Sequence, residues 1–297
     1  MTTIFLTGTS GFVGSNLTNY LSENYVFINY IRGTSVEIDQ DIVIHLAGKA
    51  HDIKNVLRPD DYYKVNTEFT KEIFDAFLKS NAKMFITLSS VKAVADNVNH
   101  ILTEQCIPNP ITHYGKSKLL AENYIFSKKI PENKRVYVLR PCMIHGPGNK
   151  GNLNQLFKFV SKGMPWPLGA FENKRSFCSI ENLIFVINEL IVQESIPSGI
   201  YNVADDEPLS TNDIISYICE TLVTKPNILK IPKHFIQYLA KVGDIFKLPM
   251  NEERLEKLTH SYVVSNQKIK SAIGKNLPIT SKNGLIKTFK FFNKNNI

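Results

Sequence analysis

The chain has 297 residues, 43% hydrophobic and 21% charged, enough for a substantial core in one large or two unequal globular domains. No apolar run approaches the roughly 20 residues that a bilayer-spanning helix needs, and the opening TIFLTGTSGF lacks the layout of a secretory leader, so a cytoplasmic protein without membrane insertion is expected. The formal charge of +8 comes from dispersed lysines and arginines with no basic stripe interleaved with aromatics, which argues against nucleic acid as a partner.

In chain order, TIFLTG predicts a short buried strand that runs into TGTSGFVGSNL, with Gly8, Gly11 and Gly14 at the mouth of a helix. Glycines in that strand-loop-helix setting allow a tight turn and let backbone amides approach a pyrophosphate at the positive end of the helix. VFINYIR predicts the second strand. Dinucleotide folds carry an acidic residue at this strand's end for the adenosine ribose; here the reading places Arg32 there, which accommodates a 2′-phosphate and tilts the cofactor from NAD towards NADP. Only GTSVEIDQ separates this strand from the next, DIVIHLAG, leaving little room for a further helix and strand on the adenine side.

TEFTKEIFDAFLKS shows apolar residues at three- and four-residue intervals, MFITLSS and RVYVLRP are buried strands, and between them lies the helical SKLLAENYIFSK. This alternation predicts an α/β fold, a Rossmann-type doubly wound parallel sheet, followed by a smaller, mainly helical C-terminal part. The expected division is 1–149 and 150–297, with 177–205 packing back on the first part. GPGNKGN and GMPWPLG read as loops, SIENLIFVINELIVQ as a packing helix, and the tail KTFKFFNKNN as a frayed amphipathic terminus. Cys106, Cys142, Cys178 and Cys219 show no CxxC spacing, so neither a zinc site nor a disulfide framework is expected. At the start of one predicted helix, Tyr114 and Lys118 stand four residues apart and are neighbours on its surface. Spacing alone leaves open whether they act together.

Gly8-Thr-Ser-Gly11-Phe-Val-Gly14, HLAG at His45 to Gly48, Asn66, LSS at Leu88 to Ser90, and Tyr114-Gly-Lys-Ser-Lys118 occur in the order of the extended short-chain dehydrogenase/reductase family. The chain resembles its nucleotide-sugar epimerases, dehydratases and reductases over nearly its whole length. The resemblance implies a catalytic Ser90, Tyr114 and Lys118. Hydride movement at a sugar carbon requires a proton to move on the attached oxygen, and a tyrosine is too weak a base unless a neighbouring ammonium and a positive nicotinamide stabilise its phenolate. The resemblance also implies NADP or NAD as cofactor. Thr9, Ser10, Phe12 and Val13 would border the pyrophosphate, Leu46, Ala47 and Gly48 would pass the adenosine side, and Pro141 and Cys142 would face the nicotinamide. Lys118 would also bond the nicotinamide ribose. Asn66 belongs to the same set or serves structurally in the active-site helix.

Family dehydratases follow the catalytic Ser or Thr with an Asp-Glu pair; Val91 and Lys92 stand there, which excludes that acid-base chemistry. Reduction of a 4-keto sugar and 4-epimerisation remain; a non-catalytic NAD(P)-sensing module is the further alternative, and the presence of Ser90, Tyr114 and Lys118 argues against it. GPGNKGNLNQLFKFVSKGMPWPLGAFENKRSFCSIENL, HLAGKAHD and SSVKAV are similar to 4-ketoreductases that form UDP-N-acetylquinovosamine; the other near group is the UDP-glucose/galactose 4-epimerases. In that reading His51 and Lys92 lie at the sugar end, with a loop histidine and a solvated lysine as the structural alternatives. Asn152 and Leu153 would meet the UDP moiety, and Arg175 with Arg254 its diphosphate. Family members pair through a helix that includes the YxxxK motif; LLAENYIF suits either a homodimer face or burial against the sheet.

Overall fold

The computed structural model describes residues 1–50, 58–245 and 251–295. The first strand, β1 (Thr3–Thr7), leads through the glycine loop into α1 (Phe12–Leu21), and β2 (Val26–Asn29) and β3 (Ile42–His45) follow. A continuous helix comes next: α2 (Pro59–Tyr62), a π-helical turn (Tyr63–Glu68) and α3 (Phe69–Lys79). β4 (Met84–Leu88) ends in a 3₁₀ turn (Val91–Ala93), and a long loop then reaches α4 (His113–Ser127) and β5 (Arg135–Pro141). Six parallel strands form one sheet in the order β2-β1-β3-β4-β5-β8, where β8 is Gly199–Val203.

Apolar residues alternate between the two faces of this sheet. Ile4, Leu6, Ile42, Ile44, Ile86, Tyr137 and Leu139 pack on one side with Leu17 of α1. Phe5, Val43, Phe85, Val136 and Val138 pack on the other with Phe74 and Phe77 of α3 and Ile125 of α4. Burial on both faces is what the near-continuous apolar strand sequences require. As the short GTSVEIDQ segment suggested, Tyr30 to Asp41 contain no regular element, so β2 is the sheet edge.

Beyond β5 the chain makes β6 (Met143–His145), α5 (Asn152–Ser161) and β7 (Phe177–Ser179), and β6 pairs in parallel with β7. α6 (Ile180–Val192) then packs against the α1 side of the large sheet, with Leu183, Ile184 and Ile187 buried there. After β8 come α7 (Thr211–Leu222), α8 (Lys233–Ile245), α9 (Glu252–Thr259), α10 (Gln267–Ile273) and α11 (Ser281–Lys294). The tail differs from its expected frayed state. Phe289 and Phe292 of α11 are fully buried with Phe157 of α5, because their three-residue spacing puts both rings on the inward face of the helix.

Candidate active site

Gly8 begins the loop above the sheet with φ +78°, and a side chain there would lie 2.6 Å from the Ala47 amide. Gly14, inside α1, is pressed against the Gly8 carbonyl. The loop therefore lies flat over the end of β3. Gly11 caps α1 without a side-chain bond, and the first turn carries no acid, so the helix presents bare backbone donors and its positive end. Thr9 and Ser10 stand at the loop tip, and Phe12 and Val13 turn partly into the core. These features fit a dinucleotide pyrophosphate.

At the end of β2 the structure departs from the expected arrangement. The strand stops at Asn29, whose side-chain oxygen accepts a hydrogen bond from the Thr9 hydroxyl at 3.1 Å. Arg32 lies three residues further on, in the exposed turn closed by Thr34 N–H to Ile31 O. The apolar Tyr30 and Ile31 continue the β-like pattern of β2 after its register with β1 has ended, so the strand is shorter than its sequence pattern predicts.

Below the loop runs a chain of buried polar groups. The Ala47 amide donates to the Thr7 hydroxyl (3.2 Å), which meets His45 Nδ1 at 2.7 Å; His45 Nε2 meets the Thr70 hydroxyl at 3.0 Å, and Thr70 donates to the Asn66 carbonyl. Because Thr70 spends its proton on that carbonyl, His45 must donate from Nε2 and accept at Nδ1, which defines a neutral ring. Complete burial, with the Lys118 charge nearby, holds its pKa down to about 3. Asn66 sits in the π-helical turn and binds both the amide and the carbonyl of Lys49 (2.8 and 2.9 Å) and the Ser117 hydroxyl (3.0 Å). It thereby ties the HLAG segment to α4, and the Gly48 backbone comes close to Lys118 Nζ and Asn66 Oδ1.

α4 carries Tyr114 and Lys118. Thr112 caps it by accepting from the Gly115 amide, and Asp96 binds the Ile111 amide (2.6 Å), the Thr112 amide (3.1 Å) and the Thr112 hydroxyl (3.0 Å). An acid is thus supplied to the positive helix end from another loop. Gly115 faces the Lys92 carbonyl, where any side chain would collide, so the helix can sit directly on the turn that follows Ser90. This close seating brings the Tyr114 hydroxyl near the Ser90 side chain. The tyrosine remains partly exposed while protein surrounds it, with the Tyr62 ring 6.2 Å away.

Burial pushes the Tyr114 phenol above its ordinary value, with nearby Ser90 opposing and Tyr62 reinforcing. Lys118 donates to the Leu88 carbonyl at 2.8 Å; burial lowers its pKa to about 8, and Glu122 works against that fall. Glu122 is itself held by Arg140 of β5 in a buried two-pronged pair at 2.9 and 2.5 Å.

Pro141 ends β5 buried beside Val203, and Cys142 is a buried thiol raised well above its usual range by desolvation. Lys92 Nζ donates to the Asp96 carbonyl (2.6 Å) and lies 4.2 Å from the centre of the Tyr262 ring; burial lowers its pKa, with Asp96 opposing and Arg175 reinforcing. Arg175 directs Nε (3.0 Å) and one Nη at the carbonyls of His260 and Lys257, which close the end of α9. Part of its fork is therefore committed to the protein. Asn152 is exposed at the start of α5, whereas the Leu153 side chain lies in the core with Phe157 and Leu285, leaving only its backbone for a ligand. Arg254 is exposed in the first turn of α9, its amide bonded to Asn251. His51 lies outside the described residues.

A model of the NAD dependent epimerase/dehydratase family matches residues 31–204. The chain belongs to that family. It is an NAD(P)-dependent enzyme of the extended short-chain dehydrogenase/reductase type. It is 28% identical to a UDP-glucose 4-epimerase from Vibrio cholerae over 97% of this chain and 95% of the relative. Two solved structures share its fold: UDP-glucuronic acid 4-epimerase from Bacillus cereus with NAD (TM-score 0.75, 19% identity, covering 98% of this chain and 99% of that one) and RMD from Pseudomonas aeruginosa with NADPH (TM-score 0.74, 21% identity, 99% and 100%).

Sequence reading of this family member missed Asn29, His45 as a buried strut, Asp96, and the Glu122–Arg140 pair. Only Glu122 carried a local signal, one helical turn beyond Lys118. The others act across 15 or more residues of chain.

Proposed function

We propose that this enzyme uses NAD(P)H to reduce the 4-keto group of a UDP-linked 4-keto-6-deoxy-N-acetylhexosamine, supplying an activated sugar for surface polysaccharide. The observation that carries this reading is the seating of Tyr114 and Lys118 on α4 over the turn that follows Ser90, with Val91 and Lys92 where a dehydratase needs an acid pair. Bound NAD(P)H supplies the hydride to the sugar C4. Ser90 holds the ketone oxygen, and Tyr114 gives that oxygen its hydroxyl proton, so the carbonyl becomes an alcohol and the phenolate is reprotonated from solvent. Lys118 stabilises the transient phenolate and orients the cofactor ribose.

Gly8, Gly11 and Gly14 with the α1 amino-terminus take the pyrophosphate, and the Leu46 to Gly48 backbone takes the adenosine side. The neutral Asn29 amide neither repels a 2′-phosphate as an acid would nor holds the ribose as strongly. An exposed edge strand beside it suits a cofactor that must exchange at every turnover. Lys92 and Arg175 are assigned to the sugar and diphosphate.

The second reading, 4-epimerisation of a UDP-sugar with retained NAD, is favoured by the Vibrio cholerae relative, which spans nearly the whole chain. Incubation with UDP-4-keto-6-deoxy-N-acetylglucosamine and NADPH or NADH separates the two. Loss of reduced nicotinamide in step with product supports reduction. Interconversion of UDP-sugar epimers with no net oxidation replaces it with epimerisation.

A further inference from the structure

α8 has three unlike sides. Ile236 (6% exposed) and Ala240 (0%) point inward, against Trp166, Leu168 and Leu255. Each step along a helix turns about 100°, so Phe235 and Leu239, which precede those two, share the adjoining strip, with Val242 extending it and Tyr238 along its outer edge. Phe235, Tyr238 and Leu239 are 49%, 65% and 45% exposed. The remaining side carries Lys233, His234 and Lys241, and Lys230 stands just before the helix. Asp244, the one acid of α8, uses a carboxylate oxygen to accept from the Glu252 amide. Acids near this region are Glu252, Glu253 and Glu256 of neighbouring α9, where Glu253 is paired with Lys257, and the exposed Glu172, next to the Phe171 ring over which Lys233 lies at 5.8 Å.

We propose that α8 is a membrane-surface helix that docks this enzyme on an anionic phospholipid bilayer. The apolar strip is the part that enters the headgroup-acyl boundary. Tyr238 at its margin keeps a hydroxyl in the headgroup layer, and the lysine side meets lipid phosphates, an arrangement that a neutral protein groove does not call for. The whole-chain charge of +8 acts in the same direction. A helix of 13 residues cannot cross a bilayer, and among the described residues no helix is long and apolar enough to do so. The contact is therefore peripheral. It also lies on the sugar side of the molecule, because α8 packs on α9 and the last carbonyls of α9 hold Arg175. The proposal does not depend on whether the reaction is reduction or epimerisation.

The test is sedimentation of the full-length protein with vesicles of phosphatidylcholine alone and of phosphatidylcholine mixed with phosphatidylglycerol. The wild type is expected to pellet with the mixed vesicles and to be released by salt. A Phe235→Ser, Tyr238→Ser, Leu239→Ser variant, whose changed side chains all face outward, is expected to keep its unfolding midpoint and stay in the supernatant. Lys230→Gln, Lys233→Gln, Lys241→Gln is expected to bind about a hundredfold more weakly. Failure of the wild type to pellet with mixed vesicles would overturn the proposal, as would undiminished pelleting of the serine variant. So would a wild-type dimer that the serine variant converts to monomer, since the strip would then face a second copy.

Discussion

Burial sets the direction of the Lys118 shift, and Glu122 opposes it from one helical turn away. Its carboxylate raises a pKa that burial drives down, leaving the ammonium near 8. If that ammonium supports proton transfer, activity holds on the acidic side of pH 8 and falls above it. Glu122→Gln removes the opposing charge, so the lysine pKa drops further and the fall in kcat/KM begins at lower pH. The profile of the variant checks this, and an unmoved basic limb refutes it. The same substitution leaves Arg140 buried without its counter-charge, and a loss of about 3–5 kcal/mol in unfolding free energy is expected. Tyr114→Phe removes the proposed proton donor while preserving the ring packing. Turnover should fall by about 10²–10⁴-fold, with cofactor binding, followed by fluorescence titration, unchanged. Asn29→Asp places a negative charge at the proposed ribose end of the cofactor site, so affinity for NADPH should fall relative to NADH in the same titration.

At the scale of elements, α4 is seated by contacts that converge on its first turn: the Asp96 cap, the Asn66 and Thr67 bonds to Ser117, and the glycine that lets the helix meet the Lys92 carbonyl. Gly115→Ala forces a methyl group against that carbonyl. The helix must shift, at a cost of about 1–3 kcal/mol in stability, and Tyr114 moves off Ser90. A larger proportional loss of kcat than of cofactor affinity is the expected signature; unchanged kinetics would show that the seating has slack. The glycine loop, the YxxxK helix and the strand-helix alternation were legible because each is encoded within a few adjacent residues. Asp96 was not, since its partners lie 15 and 16 residues away across an irregular loop. Strand ends were legible only approximately. Pairing with β1 terminates β2 at Asn29 although the apolar pattern runs on, and this moved the residue at the strand's end from an arginine to an amide. The buried tail helix was misread for a related reason: its phenylalanines have partners in α5, more than 100 residues earlier.

For the molecule as a whole, His45 links the first and third strands of the sheet to α3 from a fully enclosed position. Every neighbour in that chain requires the neutral ring, so folding excludes the proton that an exposed histidine would take near pH 6.5. The folded pKa is about 3. Between those values the unfolded chain binds one more proton than the native one, and stability consequently rises with pH across that window. The contribution is complete above about pH 6.5, and acidification removes it at about 1.4 kcal/mol per pH unit towards pH 3. Denaturant unfolding at a series of pH values, compared between the wild type and His45→Gln, isolates this term from the other titrating groups. The variant should be less stable at pH 7, where it lacks the paired ring, and its stability should decline less steeply as the solution is acidified. Parallel slopes would mean that the imidazole titrates in the native state, and the neutral strut beneath the cofactor loop would have to be abandoned.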